Sequence, residues 1–264
     1  MDYPKITRLY KYASWSDRTA STLASGKLWF ALPHSFNDPY DCTLPNHAFV
    51  HLQQRKTQAL RHRKSGERLQ RLGPTPDIGS LLRAINERFL THVSNDDMAI
   101  AAKFVEGHNT IQSFLHTFGV LSLSATPRSI LMWSHYAHQH AGICFEFERS
   151  PSDKLGLDAK PVIYSMRREG DKLLDSHPHA SPLFLKYSGW RYEREWRLLE
   201  NNGGRMYDFP AKLLSIICGA RMPESDLAAV KAAVATFNSS RRETVIVKRA
   251  QMSPLTYSLS IRPL

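Results

Sequence analysis

Cysteine is scarce in this sequence, with only three among 264 residues: Cys42, Cys144 and Cys218. The three are odd in number and widely separated, and none belongs to a C-x-x-C motif. This pattern supports neither a disulfide framework nor a zinc site built from thiolates. We therefore expect three reduced thiols, buried in the core.

Long apolar runs are also lacking. The longest, such as Leu213–Cys218, are far shorter than the roughly 20 residues that a membrane-spanning helix requires. Residues 1–13 contain no apolar segment of the kind found in export signals. We therefore expect a cytoplasmic protein that does not enter a membrane. Because 42% of the residues are apolar, the chain can still bury a substantial core.

Acidic residues are outnumbered, 24 against 35 lysines and arginines, which gives a formal net charge of +11. Such an excess favours a polyanionic partner, either a nucleic acid or a cofactor that carries phosphates. The densest basic stretch, residues 55–71, has a helical pattern and a single acid, Glu67. A stretch of this kind is either a solvated helix face or a surface for phosphates. Its candidate nucleic-acid-binding residues are Arg55, Arg61, Arg63, Lys64 and Arg68.

Hydrophobic periodicity predicts an α+β fold with a split, mixed or antiparallel central sheet. Strand patterns occur at Ile6–Tyr12, Lys27–Leu32, Gly119–Ala125, Ala141–Glu148, Pro161–Ser165, Trp190–Leu199, Leu213–Cys218, Glu243–Lys248 and Leu255–Ile261, and short helices are expected at Ser16–Ala24 and Arg128–Ala137. Residues from about 48 to 118 follow a helical pattern and form a basic helical insertion. We expect one domain over residues 1–264, with Ile143, Phe145 and Phe147 facing its core.

Two carboxylates, Glu193 and Glu195, stand two residues apart in the sequence. On a strand this spacing points both side chains to the same face, where like charges repel unless something uses them. An enzyme that breaks the glycosidic bond of NAD needs a carboxylate near the nicotinamide ribose to stabilise an oxocarbenium-like transition state. The alternative is a sheet surface on which Arg191, Arg194 and Arg197 pair with these glutamates.

Three motifs follow an opening Leu9-Tyr-Lys-Tyr12 along the chain. They are Phe36-Asn-Asp-Pro-Tyr-Asp41, then Met132-Trp-Ser-His-Tyr136 with His140-Ala-Gly-Ile143, then Tyr192-Glu-Arg-Glu-Trp-Arg197. In this order they are similar to the bacterial family called domain of unknown function 2971. The resemblance covers residues 8 to 222, apart from the helical insertion. The family name states no activity.

The order of a strand-borne basic residue, a Ser-x-Ser pair and a Glu-x-Glu pair resembles that of ADP-ribosyltransferases. The residues concerned are Arg8 or Lys11, then Ser122 and Ser124, then Glu193 and Glu195, and Tyr10 on the first strand is a further candidate for cofactor binding. The resemblance implies that NAD is the substrate and that Arg8 or Lys11 binds its phosphates. It also implies that Ser122 braces the site while Glu195 acts on the ribose.

Histidine and aromatic residues cluster between residues 132 and 140. His135 and His138 lie three residues apart on one helical face, and His140 follows. Three histidines suggest a metal, but a core His135 and a solvated His138 explain the pattern as well. In the functional interpretation, Trp133 or Tyr136 stacks on nicotinamide or a base. His135 or His140 then binds ribose or phosphate, and no metal is expected.

Asn37, Asp38 and Asp41 surround a proline, in a turn that can cap itself. Their functional alternative is an acidic contribution to the cleft, either orienting a ribose or binding a divalent cation. Asp38 and Asp41 together with Glu193 and Glu195 would make such a cation site. This combination is the basis of a second hypothesis, a metal-dependent nuclease.

We therefore expect an NAD-consuming, ADP-ribosyltransferase-like bacterial effector that modifies nucleic acid or protein. Its setting, phage defence or a toxin role, follows from the resemblance, and so does an inhibitory or defence-system partner protein. The alternatives are a metal-dependent nuclease and a nucleic-acid-binding module without catalysis. The transferase requires Glu195 beside a basic strand residue, and the nuclease requires carboxylates that converge on a metal.

Overall fold

The computed structural model describes residues 6–44, 109–110, 112–166 and 182–264. Most of the predicted helical insertion, at about 48–118, lies outside these ranges. So do the candidate nucleic-acid-binding residues Arg55, Arg61, Arg63, Lys64 and Arg68, whose role stays a prediction. The extent of the domain, residues 1–264, also stays a prediction.

Twelve strands and four α-helices lie entirely within the described ranges. The strands are β1 Arg8–Ala13, β2 Lys27–Phe30, β3 Gly119–Ser124, β4 Ile143–Glu148, β5 Lys160–Pro161, β6 Ile163–Ser165, β7 Leu185–Tyr187, β8 Glu195–Glu200, β9 Arg205–Asp208, β10 Leu213–Cys218, β11 Ile246–Met252 and β12 Leu259–Pro263. The helices are α1 Asp17–Ser25, α2 Ile130–Tyr136, α3 Lys154–Leu157 and α4 Glu224–Arg241. Short 3₁₀-helices cover Pro33–Ser35, Pro182–Phe184 and Ser188–Glu193.

One large mixed sheet contains eight of these strands in the order β12-β11-β10-β4-β1-β3-β8-β5. Strands β10 and β11 are parallel, and the other neighbours in this sheet are antiparallel. Two small sheets pair β2 with β9 and β6 with β7. The helices and the large mixed sheet confirm the α+β class. The sheet is continuously hydrogen-bonded, and its strands β1 and β3 share a single register pair, Tyr10↔Ser124.

The sheet buries side chains on both faces because its strands alternate. On one face, Leu9, Phe145 and Ile216 pack with Leu23 of α1 and Val230 of α4 in the largest core cluster. Helix α4 packs on this face through its buried apolar side chains Leu227, Val230, Val234 and Phe237. These residues are three or four positions apart in the sequence, which places them on one side of the helix. The predicted core positions Ile143, Phe145 and Phe147 are confirmed as buried.

The opposite face carries a second core cluster, in which Tyr12 and Cys144 of the sheet pack with Trp133 of α2. The ring of Tyr12 meets that of Trp133 edge to face at 5.2 Å between centroids. The expected thiols Cys42, Cys144 and Cys218 are confirmed as free and buried. Helix α2 therefore covers the same face of the sheet that carries the polar side chains of the candidate site.

The predicted strand Trp190–Leu199 is wrong in its first half. Residues Ser188–Glu193 form a 3₁₀-helix, and Arg194 has a left-handed backbone conformation with φ of 47°. The strand begins only at Glu195. Alternation of aromatic and charged residues resembles a strand, but the left-handed residue separates Glu193 from the strand. The prediction that both glutamates share one strand face is therefore wrong, although Glu193 and Glu195 both contact Lys186.

A buried charged cluster as the candidate active site

The ammonium group of Lys186 lies among three carboxylates in the interior of the protein. Its Nζ atom is 2.5 Å from Glu193 Oε2, 2.9 Å from Glu195 Oε2 and 3.5 Å from Asp41 Oδ2. All four side chains are buried. Asp41 precedes β3 in the chain by many residues, so the cluster joins segments that are distant in sequence.

Arg197, a fully buried side chain of β8, completes the charged cluster. It donates from Nη2 to Asp41 Oδ2 at 2.7 Å and from Nη1 to the carbonyl oxygen of Leu183 at 2.7 Å. A further hydrogen bond from Nη1 reaches Cys42 Sγ at 3.1 Å. The cluster thus combines the three acids Asp41, Glu193 and Glu195 with the two bases Lys186 and Arg197.

The backbone around the two glutamates is held by side chains of neighbouring elements. Ser124 Oγ donates to the carbonyl oxygen of Glu193 at 2.7 Å, and the amide of Glu195 donates to the hydroxyl of Tyr164 at 2.8 Å. The left-handed Arg194 offers its carbonyl oxygen to the amide of Ala125 at 3.0 Å. These contacts turn the chain so that Glu193 and Glu195 approach the same ammonium group.

Burial and the neighbouring charges shift the pKa values of Glu193 and Glu195 in opposite directions. Burial disfavours the ionised form of Glu195, but Arg197 and Lys186 outweigh it and lower the pKa of Glu195 to about 2. Burial raises the pKa of Glu193, and the nearby Glu195 adds to this rise against the ammonium group of Lys186. Burial opposes the charge of Lys186, yet the carboxylates keep its pKa raised. Glu195 is therefore a permanent carboxylate, while Glu193 binds a proton more readily.

Lys11 and Ser122, which the sequence placed with Glu195, lie beside this cluster. Lys11 Nζ donates to the carbonyl oxygen of Ser122 at 3.0 Å, next to the single register pair of β1 and β3. Burial lowers the pKa of Lys11, and the charge of Glu195 opposes that effect. The Ser122 side chain helps Arg197 and Lys186 to lower the pKa of Glu195. Three of the residues chosen from distant segments thus interact in one place.

Aromatic side chains line the outer edge of the cluster. The hydroxyl of Tyr136 donates to Glu193 Oε1 at 2.7 Å. Burial raises the pKa of Tyr136, and the Asn37 side chain opposes this rise. Tyr136 is half-buried, whereas His135 is exposed on the same helix. The ring of Trp190 lies 5.4 Å from Lys186 Nζ. We call the side chains of His135, Tyr136, Trp190 and Tyr192 the aromatic rim.

Other residues chosen from the sequence lie elsewhere. Trp133 is fully buried and donates from Nε1 to the carbonyl oxygen of Pro127 at 2.8 Å, so its ring belongs to the core rather than to a stacking site. His140 Nε2 is 3.1 Å from Ser134 Oγ, and burial followed by the charge of Arg221 lowers its pKa. His138 is exposed.

Arg8 and Tyr10 contribute to a second ion cluster, around the buried Glu146 of β4. Arg8 Nη1 is 2.7 Å from Glu146 Oε1, and Lys248 Nζ is 2.5 Å from Glu146 Oε2. The hydroxyl of Tyr10 lies 3.4 Å from the same carboxylate. Because Arg8 is bound here, Lys11 is the strand-borne basic residue next to Glu195.

The two acidic residues near Pro39, Asp38 and Asp41, have different structural roles. Asp38 Oδ1 accepts from the amide of Tyr40 at 2.9 Å, which is the self-capping turn. Asp41 instead joins the charged cluster. Among the described residues, no group of three or more His, Cys, Asp or Glu side chains is arranged to hold a metal ion. The four-carboxylate site with Asp38 is therefore not formed, since Lys186 and Arg197 lie among the remaining three acids.

Sequence reasoning missed Lys186, the residue that connects all three acids. It follows a stretch of sequence rich in proline and histidine, where no motif marks a single lysine. The sequence predicts Arg197 only as a surface partner of the glutamates, and it does not indicate a role for Tyr164. For Arg197 a signal existed, because Glu195 and Arg197 stand two apart on a strand and so share a face.

A family model described as "Protein of unknown function (DUF2971)" matches residues 132–198. This confirms the predicted resemblance to that family over one segment, which contains most of α2 together with Lys186, Glu193, Glu195 and Arg197. The motif that ends at Asp41 lies outside the matched residues. Comparisons with curated proteins and with solved structures found no significant match. Within the described ranges, no helix has the length and apolar character needed to cross a bilayer.

Proposed function

We propose that the protein consumes NAD in an ADP-ribosyl transfer, as an effector of bacterial phage defence or as a toxin in the cytoplasm. The observation that supports this most is the meeting of Lys11, Ser122 and Glu195, which come from β1, β3 and β8. The same residue types, in the same order along the chain, carry the resemblance to ADP-ribosyltransferases. A likeness to the ADP-ribosyltransferase fold is part of this proposal.

In the proposed reaction the bond between ribose C1 and the nicotinamide nitrogen breaks, and nicotinamide leaves with the electron pair. A nucleophile of the acceptor then bonds to C1 and loses its proton. Positive charge develops on the ribose, so a fixed negative charge nearby lowers the barrier. Glu195 supplies that charge because Arg197 and Lys186 keep its pKa near 2.

Glu193 is the carboxylate that connects the cluster to the aromatic rim, through Tyr136. In our proposal it receives the ribose, and His135 on the exposed side of α2 assists as a hydrogen-bonding or proton-accepting group. Lys11 adds positive charge for the phosphates. Tyr136 offers a half-exposed ring on which nicotinamide stacks.

Release of nicotinamide from NAD, with water as the acceptor, tests the proposal in the full chain. We expect release by the unaltered protein, loss in Glu193→Gln and a reduction in Tyr136→Phe. Glu148→Gln, an exposed acid on β4, is the matched control and should retain activity. If the folded protein releases no nicotinamide but cuts nucleic acid once magnesium or manganese is added, the nuclease hypothesis replaces the transferase.

A further inference from the structure

A row of four rings lies along the outer edge of the charged cluster. The ring centroids of Trp190 and Tyr192 are 6.0 Å apart, those of Tyr192 and His135 are 6.1 Å apart, and those of His135 and Tyr136 are 6.2 Å apart. His135 is exposed, and the other three rings are partly exposed. The aromatic rim is therefore continuous and open to a ligand with several flat groups.

Three exposed arginines accompany these rings. Arg191 and Arg194 flank Tyr192 and Glu193 along the chain, and Arg128 belongs to the loop after β3. That loop is joined to the turn at Arg194 by the hydrogen bond from the amide of Ala125, at 3.0 Å. None of the three arginines forms an ion pair with a described residue, in contrast to the buried Arg197.

The exposed charge of this surface is positive because the nearby acidic side chains are buried and ion-paired. Glu193 and Glu195 are buried against Lys186 and Arg197, so they do not offset the arginines of the rim. Exposed guanidinium groups beside a row of rings are the two components of a surface for single strands, in which phosphates meet the charges and bases stack on the rings. A duplex offers the phosphates but keeps its base faces stacked inside.

We propose that Arg128, Arg191 and Arg194, together with the aromatic rim, bind a single-stranded nucleic acid at the mouth of the candidate active site. Its use as the acceptor of ADP-ribose rests on the proposed function, whereas the binding itself does not. This surface is separate from the basic stretch at residues 55–71.

Fluorescence anisotropy of a labelled 12-nucleotide oligothymidylate, measured over a range of salt concentrations without NAD, tests the binding. The triple variant Arg128→Gln, Arg191→Gln and Arg194→Gln should reduce the log–log salt slope by about 2, or roughly 0.7 per lost phosphate contact. A triple control, Arg205→Gln, Arg242→Gln and Arg262→Gln, removes the same charge from exposed positions on β9, after α4 and on β12. It should leave the slope unchanged.

A second variant separates stacking from charge. His135→Leu should weaken binding about fivefold or more at every salt concentration without changing the slope, since it removes a stacking ring and leaves the three arginines in place. An unchanged slope in the first triple variant, or an equal fall in the control, overturns the proposal. So does an affinity for a 12-base-pair duplex that equals or exceeds that for the single strand. Because NAD is absent, this test and the nicotinamide assay can fail separately.

Discussion

Arg197 donates two hydrogen bonds to Glu195, from Nε to Oε1 at 2.8 Å and from Nη2 to Oε2 at 3.0 Å. The two residues stand two apart on β8, so their side chains leave the same face of the sheet. A planar guanidinium matches a carboxylate in this two-point geometry, and both partners are removed from water. Such a pair orients the carboxylate rigidly and makes each partner depend on the other.

Arg197→Met should destabilise the protein by about 3–5 kcal/mol, because Asp41 and Glu195 then remain buried with only Lys186 as a cation. The free energy of unfolding in urea measures the loss. Arg191→Met makes the same exchange at an exposed position and should change stability by no more than about 0.5 kcal/mol. A loss below about 1 kcal/mol in Arg197→Met would show that the buried pair is not formed.

Glu193→Gln and Glu195→Gln should lower the free energy of unfolding by different amounts. The charged cluster has three acids and two bases, and the pKa of Glu193 is raised, so Glu193→Gln removes an unfavourable charge and should leave stability nearly unchanged. Glu195→Gln should cost about 3 kcal/mol or more, since Arg197 loses its charged acceptor. Urea unfolding of both variants at neutral pH compares them directly. Equal losses would contradict this assignment of charge within the cluster.

This difference affects how the transferase hypothesis is tested. From the sequence, Glu195→Gln is the obvious variant to abolish catalysis. Because Glu195 is buried against Arg197 and Lys186, the same variant should also lower the stability of the protein. An inactive Glu195→Gln protein is informative only if its near-ultraviolet circular dichroism and unfolding show a folded state. Glu193→Gln carries the test of catalysis because it is expected to fold.

Strands with strong alternation could be predicted from the sequence, and the reason is burial. Gly119–Ser124 and Ile143–Glu148 lie close to their predicted ranges because one strand face packs in the main core while the other packs under α2 or the charged cluster. The end of α1 at Gly26, whose φ is 65°, could also be predicted since glycine adopts this conformation without strain.

The candidate site could be predicted only in part. Glu193 and Glu195 were identified by their spacing, yet the reason was wrong, because the left-handed Arg194 separates them and Lys186 brings them together. The alternation of side chains along a strand does hold for Glu195 and Arg197, which lie two residues apart on β8 and share one face. Lys186 could not be found, since long-range contacts of a single lysine leave no local pattern in the sequence.

Acid should weaken the protein through Glu195. Its pKa in the folded protein, about 2, lies below the ordinary value of 4.5, so its stabilising effect is complete above pH 4.5 and is lost as the pH falls toward 2. The shift corresponds to roughly 3 kcal/mol. Glu193 acts in the opposite direction because its pKa is raised, and the measurement is therefore made in the Glu193→Gln background. Adding Glu195→Gln should flatten the dependence of unfolding free energy on pH between 4.5 and 2, whereas adding Glu148→Gln should not.

NAD should stabilise the folded protein against heat if the charged cluster and aromatic rim bind it. At a hundred times the dissociation constant, a ligand that binds only the folded state adds about 2.7 kcal/mol. For a chain of this length such a gain raises the midpoint of thermal unfolding by roughly 5–10 °C. Differential scanning fluorimetry at millimolar NAD measures the shift, with nicotinamide and adenosine diphosphate as separate ligands.

The variants in this experiment distinguish a specific site from general attraction of anions. Glu193→Gln and Tyr136→Phe alter the side chains that the proposed ribose and nicotinamide contact, so the shift with NAD should shrink in both. The triple control at Arg205, Arg242 and Arg262 lowers the positive charge by three without altering the cluster, and the shift should persist in it. A clear shift with manganese or magnesium, but none with NAD, would favour the nuclease hypothesis. A shift with NAD that disappears only in the triple control would place the bound NAD on the basic surface, away from Glu193 and Tyr136.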